Sequence, residues 1–168
     1  MKTTKITNKI AICGMMTALA MVLGYVEHLI PFSIGIYGIK LGLANLAALI
    51  MLYLTDTKTA FAIHATRIIL CGILFGNVFS LIYSISGGVF SFLVMAILKR
   101  TKLLSPVGIS IVGGICHNIA QLAAAIFMVD ELKIAFYLPV LIISGALAGA
   151  LVGVCSNTVI RKLRREDA

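Results

Sequence analysis

The chain of 168 residues is 61% hydrophobic and only 12% charged, and its mean hydropathy is +1.10. This composition excludes an ordinary soluble domain, in which about 25% of residues are charged. The 14 basic residues outnumber the 6 acidic ones and give a net charge of +8. Membrane topology also concentrates basic residues, so the excess gives no independent support for nucleic-acid binding. The sequence predicts an integral protein of a lipid bilayer that binds no nucleic acid.

Six apolar segments follow one another along the chain, and a spanning helix needs about 20 such residues. The first segment comes after Lys2, Lys5 and Lys9. No small-residue cleavage site ends it, so it is predicted to be a retained helix and not a secretory signal. The fold class is therefore all-α, a polytopic membrane protein with one domain over residues 1–168. Its six transmembrane helices form one bundle and are predicted at about 10–26, 35–54, 59–75, 77–98, 106–129 and 134–160.

The basic residues orient this bundle. With a cytoplasmic N-terminus, the inner side holds 11 of the 14 basic residues, whereas the outer side holds only Lys133. Cytoplasmic loops of membrane proteins carry such an excess, so both termini are predicted to be cytoplasmic and the location to be the bacterial cytoplasmic membrane. The C-terminal run RKLRR at 161–165 is expected to lie near anionic lipid headgroups.

Two basic residues, Lys40 and Arg67, fall inside predicted helices. A basic residue at the bilayer centre costs about 2.5–3.5 kcal/mol on insertion scales. No acidic residue lies within the predicted spans, and the nearest one, Glu27, is expected at the outer mouth of the first helix. Lys40 could extend to the outer headgroups, and Arg67 could bond backbone carbonyls. Alternatively, both cations bind an anionic ligand that enters from outside.

Polar side chains cluster on the fifth predicted helix and form a stripe on the fourth. Residues four apart share a helix face, so His117 and Gln121 are expected side by side, next to Asn118. The stripe of serines and glycines on the fourth helix could simply hold helices together. We predict that an outward-facing cavity binds an anionic, hydrogen-bonding molecule through Lys40, Asn45, Arg67, Ser84, His117, Asn118 and Gln121.

Catalytic and metal sites find less support. The four cysteines show no CxxC spacing, and the three aspartates are scattered, whereas a magnesium–diphosphate site needs clustered carboxylates. There is no phosphate-binding P-loop in the sequence. No catalytic residue, metal site or cofactor is therefore predicted.

Small residues recur at helical spacing in the first and sixth predicted helices. Gly14 and Ala18 form one such pair, and Gly145, Gly149 and Gly153 form another series. These patterns allow two helix backbones to approach closely. They could pack the bundle itself, or the pair on the first helix could dock another membrane subunit.

Four segments carry a family resemblance: GIKLGLANLAA at 38–48, RIILCGILFG at 67–76, SGG at 86–88 and GICHNIAQ at 114–121. They resemble the family known both as heptaprenyl diphosphate synthase component I and as Gx transporter. That family is similar to the substrate-binding S-components of energy-coupling factor (ECF) transporters. The resemblance implies a six-helix binder with an outward pocket, and a first-helix motif that contacts the transmembrane coupling (T) component. Gly14 and Ala18 match that motif, with glycine in place of the more usual alanine.

The expected function is thus an S-component for an anionic vitamin- or cofactor-like molecule such as a flavin, an isoprenoid diphosphate or a quinone precursor. A T-component and ATPase subunits would supply the energy. Two alternatives stay open, namely a membrane accessory subunit of heptaprenyl diphosphate or quinone synthesis and a subunit of a membrane redox complex.

Overall fold

The computed structural model describes residues 2–29 and 42–166, and within these ranges the fold is entirely helical. The helices are α1 (Lys2–Leu29), α2 (Leu43–Leu54), α3 (Thr57–Phe75), α4 (Val78–Thr101), α5 (Pro106–Val129) and α6 (Leu138–Glu166), and a 3₁₀ turn (Leu132–Tyr137) precedes α6. Lys40 lies outside the described residues, as does the first part of the predicted helix 35–54.

Three helices begin where side chains can cap them. Asp56, Asn77 and Ser105 each accept a hydrogen bond from the backbone N–H three residues later, at 3.0, 2.8 and 3.2 Å. Such caps satisfy amides that have no partner inside the helix. They explain why α3, α4 and α5 begin within two residues of the predicted positions.

The other helices differ from prediction in ways that the backbone explains. The helix predicted at 35–54 is not continuous, because Gly42 has a left-handed backbone (φ 72°) and α2 begins at Leu43. The helix predicted from 134 begins instead at Leu138, with Pro139 in its first turn, where a proline is tolerated. Helices α1 and α6 extend beyond their apolar stretches, since no glycine or proline interrupts the polar residues at 2–9 or 161–166.

Neighbouring helices α3 to α6 are antiparallel, as their glycine contacts demonstrate. A Cβ on Gly113 of α5 would lie 2.7 Å from Met95 near the end of α4, and one on Gly87 would lie 2.6 Å from Gln121. Between α5 and α6 the contacts are backbone to backbone. A Cβ on Gly149 would lie 2.5 Å from the carbonyl oxygen of Ser110, so the glycines of α6 allow this pair to pack closely.

Five helical segments within the described residues are long and apolar enough to cross a membrane. The described part of α2 is too short to do so alone. Large apolar side chains cover the outside of the bundle, and on α6 they recur along one face at Ile143, Leu147 and Leu151, each more than 60% exposed. A soluble protein rarely exposes apolar surface of this extent. The chain is a multi-pass membrane protein whose outer surface suits hydrocarbon.

The buried apolar core fills one end of the bundle. It includes Leu49, Leu52, Phe92 and Ile109, which come from the end of α2, the end of α4 and the start of α5. At this end, Lys99 of α4 donates a hydrogen bond to the carbonyl of Leu52 in the last turn of α2. The opposite end, where α2 and α4 begin and α1, α3 and α5 finish, contains the polar residues.

Candidate functional site

A polar cavity of about 120 Å³ lies at the end of the bundle opposite the apolar core. A bound water needs about 10–15 Å³ of such space, so the cavity holds several waters or a small polar group. Five helices, α1 to α5, supply its walls. The polar side chains that line it are Glu27, Asn45, Arg67, Ser80, Ser84, His117 and Gln121.

Five of the predicted ligand-binding residues thus share one cavity: Asn45, Arg67, Ser84, His117 and Gln121. They lie at the start of α2, in the second half of α3, in the first half of α4 and near the middle of α5. The alternation of helix directions brings these parts of the helices to the same level. Lys40 lies outside the described residues, so its relation to the cavity stays a prediction.

Among the described residues that line the cavity, Arg67 carries the positive charge. Its Nε atom is buried and has no hydrogen-bond partner among the described residues. The side chain lines the cavity together with Cys71 of the same helix and Glu27 of α1, and the negative charge of Glu27 acts on the guanidinium. Arg67 thus lines a polar cavity, and a guanidinium can donate hydrogen bonds to a carboxylate or phosphate oxygen.

Glu27 was not predicted to belong to the site. From the sequence, Glu27 was predicted to lie at the outer mouth of a helix ending at 26. In the structure α1 continues to Leu29, and Glu27 lines the cavity with Arg67. Its Oε1 accepts a hydrogen bond from the backbone N–H of Gly42 at 2.5 Å. The sequence did carry a signal for this, because no glycine or proline lies between Tyr25 and Ile30 to end the helix earlier.

Two adjacent glycines of α4 make room for large polar side chains. A Cβ on Gly87 would lie 2.6 Å from Cγ of Gln121 and 3.0 Å from Cε1 of His117. Beside Gly88, the buried His64 of α3 lies with its Nε2 3.2 Å from the Gly88 carbonyl oxygen. The small residues of α4 therefore do more than hold helices together, since they shape the cavity wall.

Asn118 serves a different contact from its neighbours on α5. Its Nδ2 donates to the carbonyl of Leu141 at 2.7 Å and to Oγ of Ser144 at 3.3 Å, both on α6. It lines a second, smaller cavity of about 30 Å³, which is enclosed by α4, α5, α6 and the start of α2 and which Asn45 and His117 also line, and it does not line the polar one. One step of the helix separates it from His117 and turns it toward α6.

Gly14 and Ala18, the predicted partner-binding residues, lie on the exposed side of α1. A Cβ on Gly14 would have no atom within 4 Å. This pair therefore does not pack inside the bundle, whereas Gly145 and Gly149 of α6 do pack against α5.

Over residues 2–29 and 42–166, no group of three or more histidine, cysteine or acidic side chains is placed to hold a metal ion.

A family model described as heptaprenyl diphosphate synthase component I matches residues 16–159. The match covers most of the chain, so the chain belongs to this family, and the resemblance predicted from the sequence is confirmed. No curated protein and no solved structure gives a significant match.

Proposed function

Starting from membership of the heptaprenyl diphosphate synthase component I family, we propose that the chain is a binding subunit within the membrane. It holds an anionic, hydrogen-bonding small molecule in its polar cavity. The observation that carries this proposal is the buried Nε of Arg67, which has no partner among the described residues. A buried cation is costly inside a membrane protein unless it is paired. An anionic ligand would therefore bind Arg67 and stabilise the loaded state.

The cavity walls support a ligand that combines charge with hydrogen-bonding groups. Asn45, Ser84 and Gln121 offer amides and a hydroxyl, each able to donate and to accept. A flavin nucleotide, an isoprenoid diphosphate and a quinone precursor all carry such groups. The family's name favours the isoprenoid diphosphate, whose phosphates suit a guanidinium.

We further propose that the chain works as the S-component of an ECF-type transporter. It would contribute specificity, while a T-component and ATPase subunits would contribute energy, since its sequence has no P-loop. In this arrangement the chain binds its ligand and performs no catalysis. The exposed pair Gly14 and Ala18 on α1 would contact the T-component.

In the proposed topology, six spans connect two cytoplasmic termini and the polar cavity faces outward. The support is the concentration of basic residues in the connections and tail at the apolar-core end of the bundle. Single cysteines at the exposed positions 103 and 131, on a cysteine-free background, test it. Position 103 should be labelled only from the cytoplasm and position 131 only from outside. The reverse labelling would contradict the proposed orientation.

The cavity proposal is tested by Arg67→Gln, which removes the charge and keeps hydrogen-bonding capacity. Arg100→Gln is the matched control, because Arg100 is an exposed arginine at the far end of α4. Native mass spectrometry of gently solubilised protein should find an anionic small molecule on the wild type and on Arg100→Gln. Arg67→Gln should remain folded and membrane-inserted but lose it. Full occupancy of Arg67→Gln would show that the ligand binds elsewhere.

The family's name supports a second candidate function, that of a membrane accessory subunit of heptaprenyl diphosphate synthesis. The two functions predict different partners for the same anion-binding cavity. Copurification with a T-component and ATPases would favour transport. Copurification with a prenyl-transferring subunit whose activity rises on adding this chain would favour the accessory role.

A further inference from the structure

Glu27 and Gly42 form a contact that the proposed binding function does not use. Gly42 is the N-cap residue of α2 and has no side chain with which to cap the helix. Instead, the Glu27 carboxylate of α1 accepts the hydrogen bond of the Gly42 N–H at 2.5 Å. The start of α2 thus receives its acceptor from another helix, much as the glutamate of a capping box bonds the N-cap amide.

Two positive features converge on this carboxylate. The N-terminal end of an α-helix carries a partial positive charge from its unpaired amides, and Arg67 lines the same cavity wall as Glu27, so their opposite charges attract across it. Gly42, Glu27 and Arg67 all line the polar cavity. An anion from outside would meet the same two positive features, so Glu27 occupies electrostatically the position that such an anion would take.

We infer that Glu27 is a built-in counter-anion that holds the empty cavity and competes with the ligand's anionic group for Arg67 and the start of α2. This inference rests on the proposed function and adds the residue that sets the strength of anion binding. An entering anion competes with the carboxylate for the Gly42 N–H and for the positive charge of Arg67, so the chain binds its ligand more weakly than it would without Glu27. Weaker binding favours a subunit that must later release its ligand.

The test separates the charge of Glu27 from its capping role. In Glu27→Gln an oxygen acceptor for the Gly42 N–H remains while the negative charge is lost. Glu131→Gln, at an exposed acidic residue beyond α5, is the matched control. Inorganic diphosphate is titrated into the full-length wild type and each variant in lipid nanodiscs. Glu27→Gln should bind diphosphate about tenfold more tightly than the wild type, within the range usual for coupled sites, and Glu131→Gln should be unchanged. Unchanged or weaker binding by Glu27→Gln, or no binding by either protein, overturns the inference.

A measurement without ligand gives a second, independent answer. Thermal unfolding midpoints are compared for the wild type, Arg67→Gln, Glu27→Gln and the double variant. If Glu27 compensates Arg67, the midpoint falls in Glu27→Gln, and the double variant loses less than the sum of the two single losses. Additive losses would overturn the inference even if Arg67→Gln abolished ligand binding. A different combination separates the two proposals. If Glu27→Gln binds diphosphate more tightly while Arg67→Gln keeps full ligand occupancy, the proposed role of Arg67 is wrong. Glu27 would then compete with the ligand at the start of α2 alone.

Discussion

At the residue scale, the absence of a side chain at Gly87 determines how the polar groups of α5 are held. A Cβ there would overlap Gln121 and press on His117. Gln121 is only 2% exposed, so its amide has little freedom to move elsewhere. The position of the Gln121 amide in the cavity therefore depends on an empty volume on the facing helix.

The substitution Gly87→Ala should weaken ligand binding while the protein still folds. Overpacking at a tight contact costs about 1–3 kcal/mol, and displacement of Gln121 should lower affinity about tenfold. The measurement is diphosphate affinity together with ligand occupancy in native mass spectra. Gly108→Ala is the control, since its Cβ would make only ordinary contacts of 3.5 Å or more. Equal affinities for the two variants would show that Gly87 does not shape the site.

At the element scale, the α5–α6 pair is held by backbone contact. A Cβ on Gly114 would meet the carbonyl oxygen of Gly145, and a Cβ on Gly145 would lie 2.7 Å from the carbonyl oxygen of Gly114. Backbone atoms cannot rotate away as a side chain can. Substitution at this point therefore separates the two helices along their length and breaks contacts such as that of Asn118 with Leu141.

We expect Gly114→Ala to lower the free energy of unfolding by at least about 1–3 kcal/mol, the usual cost of overpacking. Gly14→Ala is the matched control, because its new methyl group meets no atom within 4 Å. This control should be neutral or slightly stabilised, since alanine favours a helix over glycine by up to about 1 kcal/mol. Thermal unfolding in detergent compares them, and a Gly114→Ala midpoint equal to that of the control would contradict the packing argument.

The sequence predicted those elements whose ends depend on local chemistry. Capping side chains at Asp56, Asn77 and Ser105 fix the starts of α3, α4 and α5, and such caps can be recognised from sequence alone. At the start of α2 the glycine itself is visible in the sequence, but the acceptor for the Gly42 N–H could not be predicted, because it comes from Glu27, fifteen residues earlier on another helix. A pattern within one helix contains no information about such a contact.

The same distinction applies to the site. Five polar residues could be selected because each falls inside a predicted membrane helix, and the structure places all five in the wall of one cavity: Asn45, Arg67, Ser84, His117 and Gln121. The same criterion did not distinguish Asn118, whose hydrogen-bond partners are on α6. Asn118 is the neighbour of His117 in the sequence, so which of the two faces the cavity depends on how α5 is rotated about its axis. The rotation of each helix is set by packing against its neighbours, which the sequence does not state.

At the scale of the whole molecule, the apolar core lies at one end of the bundle and the polar cavity at the other. Leu49, Leu52 and Phe92 pack the core end, while the charged side chains of Glu27 and Arg67 are among the described residues that line the cavity. A ligand that enters the polar end meets tightly packed side chains beyond it. Passage through the bundle therefore requires a rearrangement, which in the proposed transporter would be driven by partner subunits.

Assembly with those partners is tested on the exposed face of α1, away from the cavity. Gly14→Leu and Ala18→Leu add bulk where the backbones of two subunits would meet, and neither residue is buried within the bundle. We expect each variant to keep its ligand in native mass spectra but to lose copurification with the T-component and ATPases. Ala62→Leu, at an exposed alanine of α3, adds the same bulk to a different surface and should assemble normally. Loss of ligand along with assembly would mean that α1 supports the cavity itself, and normal assembly of both α1 variants would move the partner surface elsewhere on the bundle.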